Sequence, residues 1–426
     1  MPTFQTVRGM RDLLPDEAER LNFVISKAKQ TARLYGYDEI ITPLVEPYQL
    51  LSAKSGDEIR SRMFTFKDMG DRKVALRPEF TASIARLATT VLKTEPKPLR
   101  VFSTGSVYRY DEPQKGRYRE FWQSNFELIG SNKPEADAEA MLLTNSLMKS
   151  TGLNNFSFKV SHMGVLRGIL NEEDVDEKVQ NAVLQLMDKK EYDRAFKLVG
   201  EKSRRALQGL LEIRGNTPLE TAEEVKKYVA KWEEAESAAD NLLDILYLAL
   251  EGGCPVKTVE LGFARGLEYY TGAIFEVNVP ELEIALGGGG RYDRLIEVFG
   301  GESTPAVGVA HGLDRITLAM QVQKSFLSSS KENIIAVIPV NEEMKSEALR
   351  ISQMLREAGI TVNFEVMGRK MAKALEDADR RKADYAVIVG EKELKKGEVV
   401  VRDLAKRNQI TMDLKELPNK FRFDSK

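Results

Sequence analysis

The sequence contains very little cysteine and histidine. Cys254 is the single cysteine among 426 residues, and His162 and His311 are the two histidines. A single cysteine excludes an internal disulfide framework and any zinc site built on paired cysteines. Two histidines could still join a carboxylate in a metal site, but no HExxH-like spacing is present. We therefore assign no metal ligands among the protein side chains.

A strong excess of charge and a long apolar run are also lacking. Lys+Arg number 63 and Asp+Glu 65, which gives a net charge of −2. This balance excludes a wholly basic polymer binder, but it leaves room for a nucleic-acid enzyme with local basic surfaces. No apolar run reaches the roughly 18 residues needed to cross a bilayer, and the first residues lack the apolar core of a signal peptide. We therefore expect a cytoplasmic protein with no membrane partner.

Composition changes along the chain predict its organisation. At about 100–200 residues per domain, the length indicates two to four domains. Residues 1–164 and 253–327 show β-rich patterns, whereas 165–252 are rich in Glu, Lys, Ala and Leu with helical periodicity. After a polar joint, residues 331–426 alternate strands with helices. We interpret 165–252 as a helical insertion into a core, and 331–426 as an α/β domain with a mostly parallel sheet covered on both faces.

Within the core, local patterns predict the elements that would carry a site. Apolar positions recur at helical spacing over 16–36, and a second helix is predicted over 78–90. Residues 99–110 and 120–130 are typical of strands and flank a charged loop. The sequence therefore predicts a long hairpin with a charged tip.

The hairpin loop carries four basic residues within eleven positions. Arg109 would stand at a strand end, where a fixed guanidinium can hold a phosphate through paired donors. The commoner fate of such a charge run is a solvated hairpin tip. Both interpretations remain open on this pattern alone.

Polar residues on the returning strand favour a functional role. Gln123 and Glu127 are four residues apart, so alternation places them on one face, where apolar residues would be expected if that face packed on a core. Glu79 lies at a strand-to-helix junction, where a carboxylate could meet an ammonium group. It could equally be a helix N-terminal acid favoured by the helix dipole.

Two further segments contain candidate residues. Arg265 lies beside glycine, and its charge could stabilise a phosphate. Tyr269 and Tyr270 follow it; if that segment is extended they point to opposite faces, so that at most one would touch a given ligand. The alternative is a pair of core and edge aromatics in a hairpin.

The run Gly287–Gly290 matches neither a Walker loop nor the spaced dinucleotide fingerprint. It could let the backbone approach a ligand closely, or it could be a flexible turn. Arg315 would lie on the first turn of a helix, where it could face a nucleotide, and His311 is interpreted as a packing residue. These patterns alone indicate an ATP- or phosphate-handling enzyme with an α/β module, and they name no substrate.

As a set, the motifs resemble those of the histidyl-tRNA synthetases, a family of class II aminoacyl-tRNA synthetases, over essentially the whole length. Residues 39–46 resemble class II motif 1, 102–127 motif 2 and 308–315 motif 3. Arg265–Tyr270 and Gly289–Asp293 resemble the two signatures specific to histidine enzymes. The tail resembles the anticodon-binding domain shared with the threonine, proline and glycine enzymes.

The resemblance implies an α+β class II catalytic core, in which helices flank an antiparallel sheet, with a helical insertion and a C-terminal α/β anticodon-binding domain. It also implies ligation of L-histidine to its tRNA through a histidyl-adenylate, with ATP and Mg²⁺ as cofactors and a homodimer as the assembly. Motif 1 would supply the dimer interface.

The resemblance further implies roles for individual residues. Histidine would be bound by Glu79, Thr81, Gln123, Glu127, Tyr269 and Tyr270. ATP would be bound by Arg109, Glu112, Arg117, Arg265 and Arg315, and the residues expected to act in catalysis are Arg265, Arg109 and Gln123. Lys115, Gly116 and Arg117 would touch the acceptor end of the tRNA.

Some positions depart from the family pattern. Glu268 stands where Asp is common, Trp122 replaces a common His, and Phe80 stands where many bacterial members have Gly. These changes leave the expected contact residues intact and indicate a different subgroup.

Three alternatives compete with the ligase. One is a regulatory subunit of ATP phosphoribosyltransferase, a paralogue expected to lack the tail domain and much of the catalytic set. The others are another class II synthetase with the same tail and a regulator that binds uncharged tRNA without catalysis. The tail domain and Arg265 argue against the first, and the intact Arg109 and Gln123 against the last.

Overall fold

A computed structural model describes residues 4–53, 56–263, 269–325 and 333–421. The chain folds into two compact units, Met1–Phe326 and Leu327–Lys426. The candidate residue Arg265 lies outside the described residues.

The first unit combines a large sheet, a small sheet and many helices. Its strands are β1 (Asp38–Glu39), β2 (Val45–Pro47), β3 (Thr65–Lys67), β4 (Lys73–Leu76), β5 (Leu99–Tyr108), β6 (Glu120–Ile129), β7 (Ser157–His162), β8 (Val256–Val259), β9 (Ala273–Asn278), β10 (Gly287–Arg291) and β11 (Ala306–Gly312). Its helices are α1 (Pro15–Leu34), α2 (Tyr48–Ser52), α3 (Asp57–Ser61), α4 (Thr81–Thr89), α5 (Pro134–Ser150), α6 (Met163–Glu172), α7 (Glu177–Asp188), α8 (Tyr192–Phe196), α9 (Glu201–Glu212), α10 (Pro218–Val229), α11 (Glu233–Glu251), α12 (Leu295–Val298) and α13 (Leu313–Val322).

The large sheet has the strand order β1-β5-β6-β11-β10-β9-β7-β8. Pairing is antiparallel through its interior, from β5 to β7, and parallel only where β1 joins β5 and β8 joins β7 at the two edges. The expected antiparallel sheet is therefore confirmed for the interior, while the edges make the whole sheet mixed. Strands β2, β4 and β3 form the separate small sheet.

The predicted hairpin is confirmed. Strands β5 and β6 pair from Leu99 opposite Ile129 to Tyr108 opposite Glu120. On the face turned away from the cleft described below, Phe102 and Phe126 are buried with ring centroids 4.6 Å apart. This apolar face fixes the register, because a slip of one residue would expose it and bury the alternate polar set.

The predicted helical stretch is also confirmed, as helices α6 to α11. Helix α11 buries Leu242, Ile245 and Leu246 on one stripe, the spacing that an amphipathic helix requires. His162 caps α6, since its Nδ1 accepts from Gly164 N at 3.1 Å. The cap satisfies one of the backbone donors that a helix start leaves unpaired.

The second unit has strands β12 (Ile334–Pro339), β13 (Thr361–Phe364), β14 (Tyr385–Val389), β15 (Glu398–Asp403) and β16 (Asn408–Asp413). Its helices are α14 (Lys345–Glu357), α15 (Met371–Arg380), α16 (Glu391–Leu394) and α17 (Leu417–Phe421). Helix α14 packs on one face of the sheet and α15 on the other, so the prediction of two covered faces is confirmed.

The prediction of a mostly parallel sheet in this unit is wrong for half of its pairings. Strand β12 pairs in parallel with β13 and β14, but β15 pairs antiparallel with both β14 and β16. The connection from β15 to β16 is too short for a crossover helix, and a short connection permits only antiparallel pairing.

Candidate active site

A cleft of roughly 290 Å³ lies over the large sheet where β6, β9, β10 and β11 run side by side. Most of the predicted site residues line it, and they come from widely separated parts of the chain. They are Glu79, Thr81, Arg109, Arg117, Gln123, Glu127, Tyr269, Tyr270 and Arg315. The fold therefore assembles most of the residues named from sequence into one site.

The floor of the cleft consists of residues with small or no side chains. On β11, Gly312 pairs with Gln123, Ala310 with Asn125 and Gly308 with Glu127. On β10, the next strand, Gly288 pairs with Ala310 and Gly290 with Gly308. Residues in register share a face, so polar side chains stand on one strand and open space lies over its neighbours. The glycine run is a sheet strand that clears this space, and its interpretation as a flexible turn is wrong.

Glu127 is the most enclosed carboxylate of the cleft, at 1% exposure. Its Oε1 accepts from Thr81 Oγ1 at 2.7 Å and from Asn125 Nδ2 at 3.4 Å. Its Oε2 accepts from the Tyr292 hydroxyl. Oε1 thus has two protein donors and Oε2 has one, so Oε2 keeps a lone pair that can accept from a ligand N–H.

Burial, with a smaller contribution from the nearby charge of Glu79, raises the pKa of Glu127 to about 7 against the opposing hydrogen bonds from Tyr292, Thr81 and Asn125. Burial also raises the pKa of Tyr292 well above its ordinary value, so its hydroxyl keeps its proton and remains a donor. A buried carboxyl group whose pKa is shifted toward neutrality is typical of a functional site.

Glu79 caps a helix and also lines the cleft. Its Oε1 accepts from Ala82 N at 2.9 Å and its Oε2 accepts from Thr81 N, so it caps the start of α4. The same carboxylate lines the cleft at 9% exposure. Its remaining lone pairs and its negative charge fit a ligand ammonium group.

Two amide side chains on β6 have unsatisfied oxygens. The Oε1 of Gln123 and the Oδ1 of Asn125 are buried and accept from no donor within the described part of the chain. Buried acceptors are normally paired. Because both residues line the cleft, a bound ligand with N–H groups could supply the donors.

Arginines line the cleft close to the hairpin loop. Arg109 Nε donates to Pro78 O at 2.9 Å, and its guanidinium carbon lies 5.4 Å from the centroid of the Phe121 ring. Arg315 donates to Ala285 O at 2.9 Å and to Gly116 O at 3.3 Å. Backbone carbonyls therefore help to fix both guanidinium groups at the cleft, and a fixed guanidinium can bind phosphate through paired donors.

The hairpin tip is a tight turn from Gln114 to Arg117, closed by backbone hydrogen bonds of 2.8 and 3.1 Å. Gly116 adopts φ +77°, and a Cβ there would overlap the Ile284 side chain. Lys115 is exposed on this turn and does not line the cleft. The tip is therefore an ordered structure that presents Lys115 outward.

Glu112 is the predicted ATP residue that the structure leaves outside the cleft. It is exposed, and its Oε2 accepts from Arg8 at 2.8 Å. Arg117 does line the cleft, with its Nε 3.8 Å from Asp111 Oδ2.

Tyr269 and Tyr270 both line the cleft, contrary to the expectation that at most one of them would face a given ligand. Tyr269 lies in a turn before β9 and not in a strand, so strand alternation does not apply. The rings of Tyr269 and Tyr270 are 4.9 Å apart, and Tyr269 packs edge-on against Tyr292 at 5.6 Å.

His311 packs beneath the cleft, as interpreted from the sequence. It is fully buried between Ser124 Oγ at 3.3 Å and Thr144 Oγ1 at 3.0 Å. Burial lowers its pKa to about 3, so the ring is neutral at physiological pH.

Sequence reasoning missed three contributors: Asn125, Tyr292 as a partner of Glu127, and Gly308 as the gap beside it. Asn125 lies between Gln123 and Glu127 on the same alternating face, so the pattern that found those two also contained it. The Tyr292–Glu127 contact had no local signal, because it joins residues 165 positions apart.

Comparisons with known proteins give a consistent result. A family model described as Histidyl-tRNA synthetase matches residues 9–316, and one described as Anticodon binding domain matches residues 335–423. The chain is 40% identical over 422 residues to the histidine–tRNA ligase of Methanocaldococcus jannaschii, covering 98% of this chain and 99% of that protein.

Solved structures are similar as well. The histidyl-tRNA synthetase of Nostoc sp. PCC 7120 gives a TM-score of 0.79 at 21% identity over 99% of both chains, which shows a shared fold. A Bacillus halodurans protein described as an ATP phosphoribosyltransferase regulatory subunit/histidyl-tRNA synthetase gives 0.74 at 26% identity, over 88% of this chain and 96% of that one. In the described part of this chain, no helix has the length and apolarity to span a membrane.

Proposed function

We propose that this chain attaches L-histidine to the histidine tRNA in an ATP-dependent reaction. The chain belongs to the histidyl-tRNA synthetase family. The carboxylate oxygen of histidine attacks the α-phosphorus of ATP, and the bond to pyrophosphate breaks. The terminal ribose hydroxyl of the tRNA then attacks the acyl carbon of the adenylate, and AMP leaves. The observation that carries this proposal is one cleft with a buried carboxylate cluster and fixed arginines.

The carboxylates of Glu127 and Glu79 would select the amino acid. Glu127 would accept an imidazole N–H, with Tyr270 and Tyr269 shaping the ring pocket, while Glu79 and Thr81 would hold the ammonium group. A site built to make buried hydrogen bonds rejects side chains that leave those bonds unmade, by larger factors than an apolar wall achieves. The enclosure of Glu127 and its three protein donors support this assignment.

The arginines would act on the phosphates. Arg109 would bind the α-phosphate, Arg315 and Arg117 would bind other parts of ATP, and Gln123 would orient the histidine carboxylate for in-line attack. The resemblance adds Arg265 at the α-phosphate. Most of the acceleration would come from positioning and from fixed positive charge where negative charge develops.

Magnesium would enter with ATP. Among the described residues, no group of three or more His, Cys, Asp or Glu side chains is placed to hold a metal ion. Mg²⁺ would therefore be bound through the ATP phosphates, as their counterion.

The tRNA would contact both units. Lys115, Gly116 and Arg117 on the hairpin tip would meet its acceptor end, and the C-terminal unit, whose residues 335–423 match an anticodon-binding domain, would meet the anticodon. We propose a cytoplasmic location, where the protein would have access to tRNA.

A homodimer is the proposed assembly. The segment that resembles motif 1 exposes Ile41 at 90%, Leu44 at 37% and Val45 at 41%. Apolar side chains exposed close together in sequence support an interface at this segment.

The regulatory subunit is the second candidate, because one structural relative carries that description. The tail match to an anticodon-binding domain and the intact cleft favour the ligase.

Formation of histidyl-tRNA by the purified chain tests the proposal. Radiolabelled histidine should enter acid-precipitable tRNA only when ATP is present. A folded protein that binds tRNA yet forms no histidyl-tRNA would favour the regulatory candidates instead.

A further inference from the structure

We propose that Asn125 determines histidine specificity by accepting an N–H of the bound amino acid at its Oδ1. This inference rests on the proposed function, because it names a further contact in the same site. Asn125 lies midway between Gln123 and Glu127 on the cleft-facing side of β6. The intervening Phe126 faces the core.

The donor side of the Asn125 amide is already in use. Nδ2 lies 3.3 Å from Thr81 Oγ1 and 3.4 Å from Glu127 Oε1. The reversed amide would set Oδ1 against the Glu127 carboxylate, and two acceptors would then repel each other. Glu127 therefore fixes the amide orientation, and Oδ1 is directed away from that carboxylate.

The acceptor side has no protein partner. Asn125 is 1% exposed, and its Oδ1 accepts from no donor in the described residues. A buried acceptor left unpaired is costly, and histidine brings ammonium and imidazole N–H groups to this cleft. Asn125 would add a neutral acceptor between the two carboxylates Glu79 and Glu127, without adding a third negative charge.

The test compares two changes at Asn125 with a matched control. Asn125→Leu removes both the donor and the acceptor, whereas Asn125→Ser keeps a neutral hydroxyl that can donate and accept. Asn145 is the control site, because it is also buried with an unpaired Oδ1, its Nδ2 donates to Gly253 O, and it does not line the cleft. Histidine binding is measured by calorimetry and the Michaelis constants by pyrophosphate exchange.

We expect Asn125→Leu to weaken histidine binding about tenfold or more, with the KM for ATP within about twofold of wild type. Asn125→Ser should lose less histidine affinity than Asn125→Leu, since its hydroxyl retains an acceptor. Asn145→Leu should leave histidine binding unchanged even if it lowers Tm. Two ligands identify the donor, because histamine has both the ammonium group and the ring, whereas 4-methylimidazole has the ring alone. If Asn125→Leu binds only histamine more weakly, the ammonium group is the donor to Oδ1. If it binds both ligands more weakly, the ring is the donor, and either result supports the proposal.

The proposal is overturned if Asn125→Leu binds histidine as wild type does, if it changes the constants for histidine and ATP together, or if Asn125→Ser is as weak as Asn125→Leu. Calorimetry separates this failure from failure of the proposed function. If the wild-type protein binds histidine through Asn125 but catalyses no exchange, the proposed function is refuted and the role of Asn125 in binding is not.

Discussion

Gly308 lies directly across from Glu127 on the neighbouring strand, and a Cβ at Gly308 would overlap Glu127 Oε2. The buried carboxylate therefore depends on a glycine in β11 for its place. The Tyr292 hydroxyl, which donates to the same oxygen, depends on that place in turn.

The first prediction concerns this gap. Gly308→Ala should displace the Glu127 carboxylate and lower kcat/KM for histidine by about a hundredfold, as expected for a misplaced binding group. Gly200→Ala is the control, because Gly200 has open space around its Cβ position and no positive φ. Pyrophosphate exchange at varied histidine concentration gives the result. Equal activity in the two variants would show that Glu127 does not need this space.

The second prediction concerns pH. Burial raises the pKa of Glu127 to about 7, so its carboxylate form is present above that pH and is lost as the pH falls through it. We expect kcat/KM for histidine to fall on acidification with a midpoint near 7, and Glu127→Gln to lower the plateau by about ten- to a hundredfold.

The substrate imidazole also titrates, near pH 6.5, so two groups should shape the wild-type profile. On a logarithmic plot, the acid limb of wild type should then fall with a slope of two, and that of Glu127→Gln with a slope of one. Equal slopes would mean that Glu127 does not control the profile.

The third prediction concerns the phosphate end. Arg109→Ala should reduce the exchange rate by about a hundred- to a thousandfold, the usual effect of removing one fixed transition-state donor. Arg100→Ala is matched to it, since Arg100 lies on β5, the strand that Arg109 directly follows, but it pairs with Glu139 at 2.8 and 2.9 Å outside the cleft. Similar losses in both variants would argue against a specific role for Arg109.

The fourth prediction concerns stability. Arg291 and Asp137 form an ion pair whose side chains are 6% and 2% exposed. Burial raises the pKa of Asp137 to about 6, against the opposing effect of Arg291. Asp137→Ala would leave a buried guanidinium without this partner, at a cost of about 3–5 kcal/mol in the free energy of unfolding.

Urea unfolding of the full chain measures this cost. Arg8→Ala, which breaks an exposed pair with Glu112, should cost less than about 1 kcal/mol. A small loss in Asp137→Ala would mean that Arg291 is satisfied by its other contacts, which include Ser131 O at 2.8 Å.

The fifth prediction concerns assembly. Sedimentation equilibrium should give twice the mass of the 47.9 kDa chain. Ile41→Asp, which places a charge in the exposed apolar motif 1 segment, should shift the equilibrium toward monomer. A wild-type monomer across micromolar concentrations would contradict the homodimer.

The periodicity of apolar and polar residues predicted the strands, the helices and the side chains that share a strand face. The β5–β6 hairpin and the shared face of Gln123 and Glu127 follow from an alternation of two residues, and the structure has both. The helical stretch followed from its composition and period in the same way. These features do not require knowledge of which strands become neighbours.

Tertiary contacts explain the remaining differences. That Tyr292 would reach Glu127, and that Gly308 would make room beside it, follow from the pairing of β6, β11 and β10, which the sequence pattern does not contain. The assignment of Tyr269 and Tyr270 to opposite faces assumed a strand where the chain forms a turn.

The central claim is that this cleft activates histidine and no other amino acid of the related class II enzymes. Amino-acid-dependent ATP–pyrophosphate exchange on the purified chain tests it, with threonine, proline and glycine beside histidine. We expect exchange with histidine alone, and we expect Arg265→Ala to lose this histidine-dependent exchange. Exchange with none of the four by a folded protein, or with one of the other three, would contradict it.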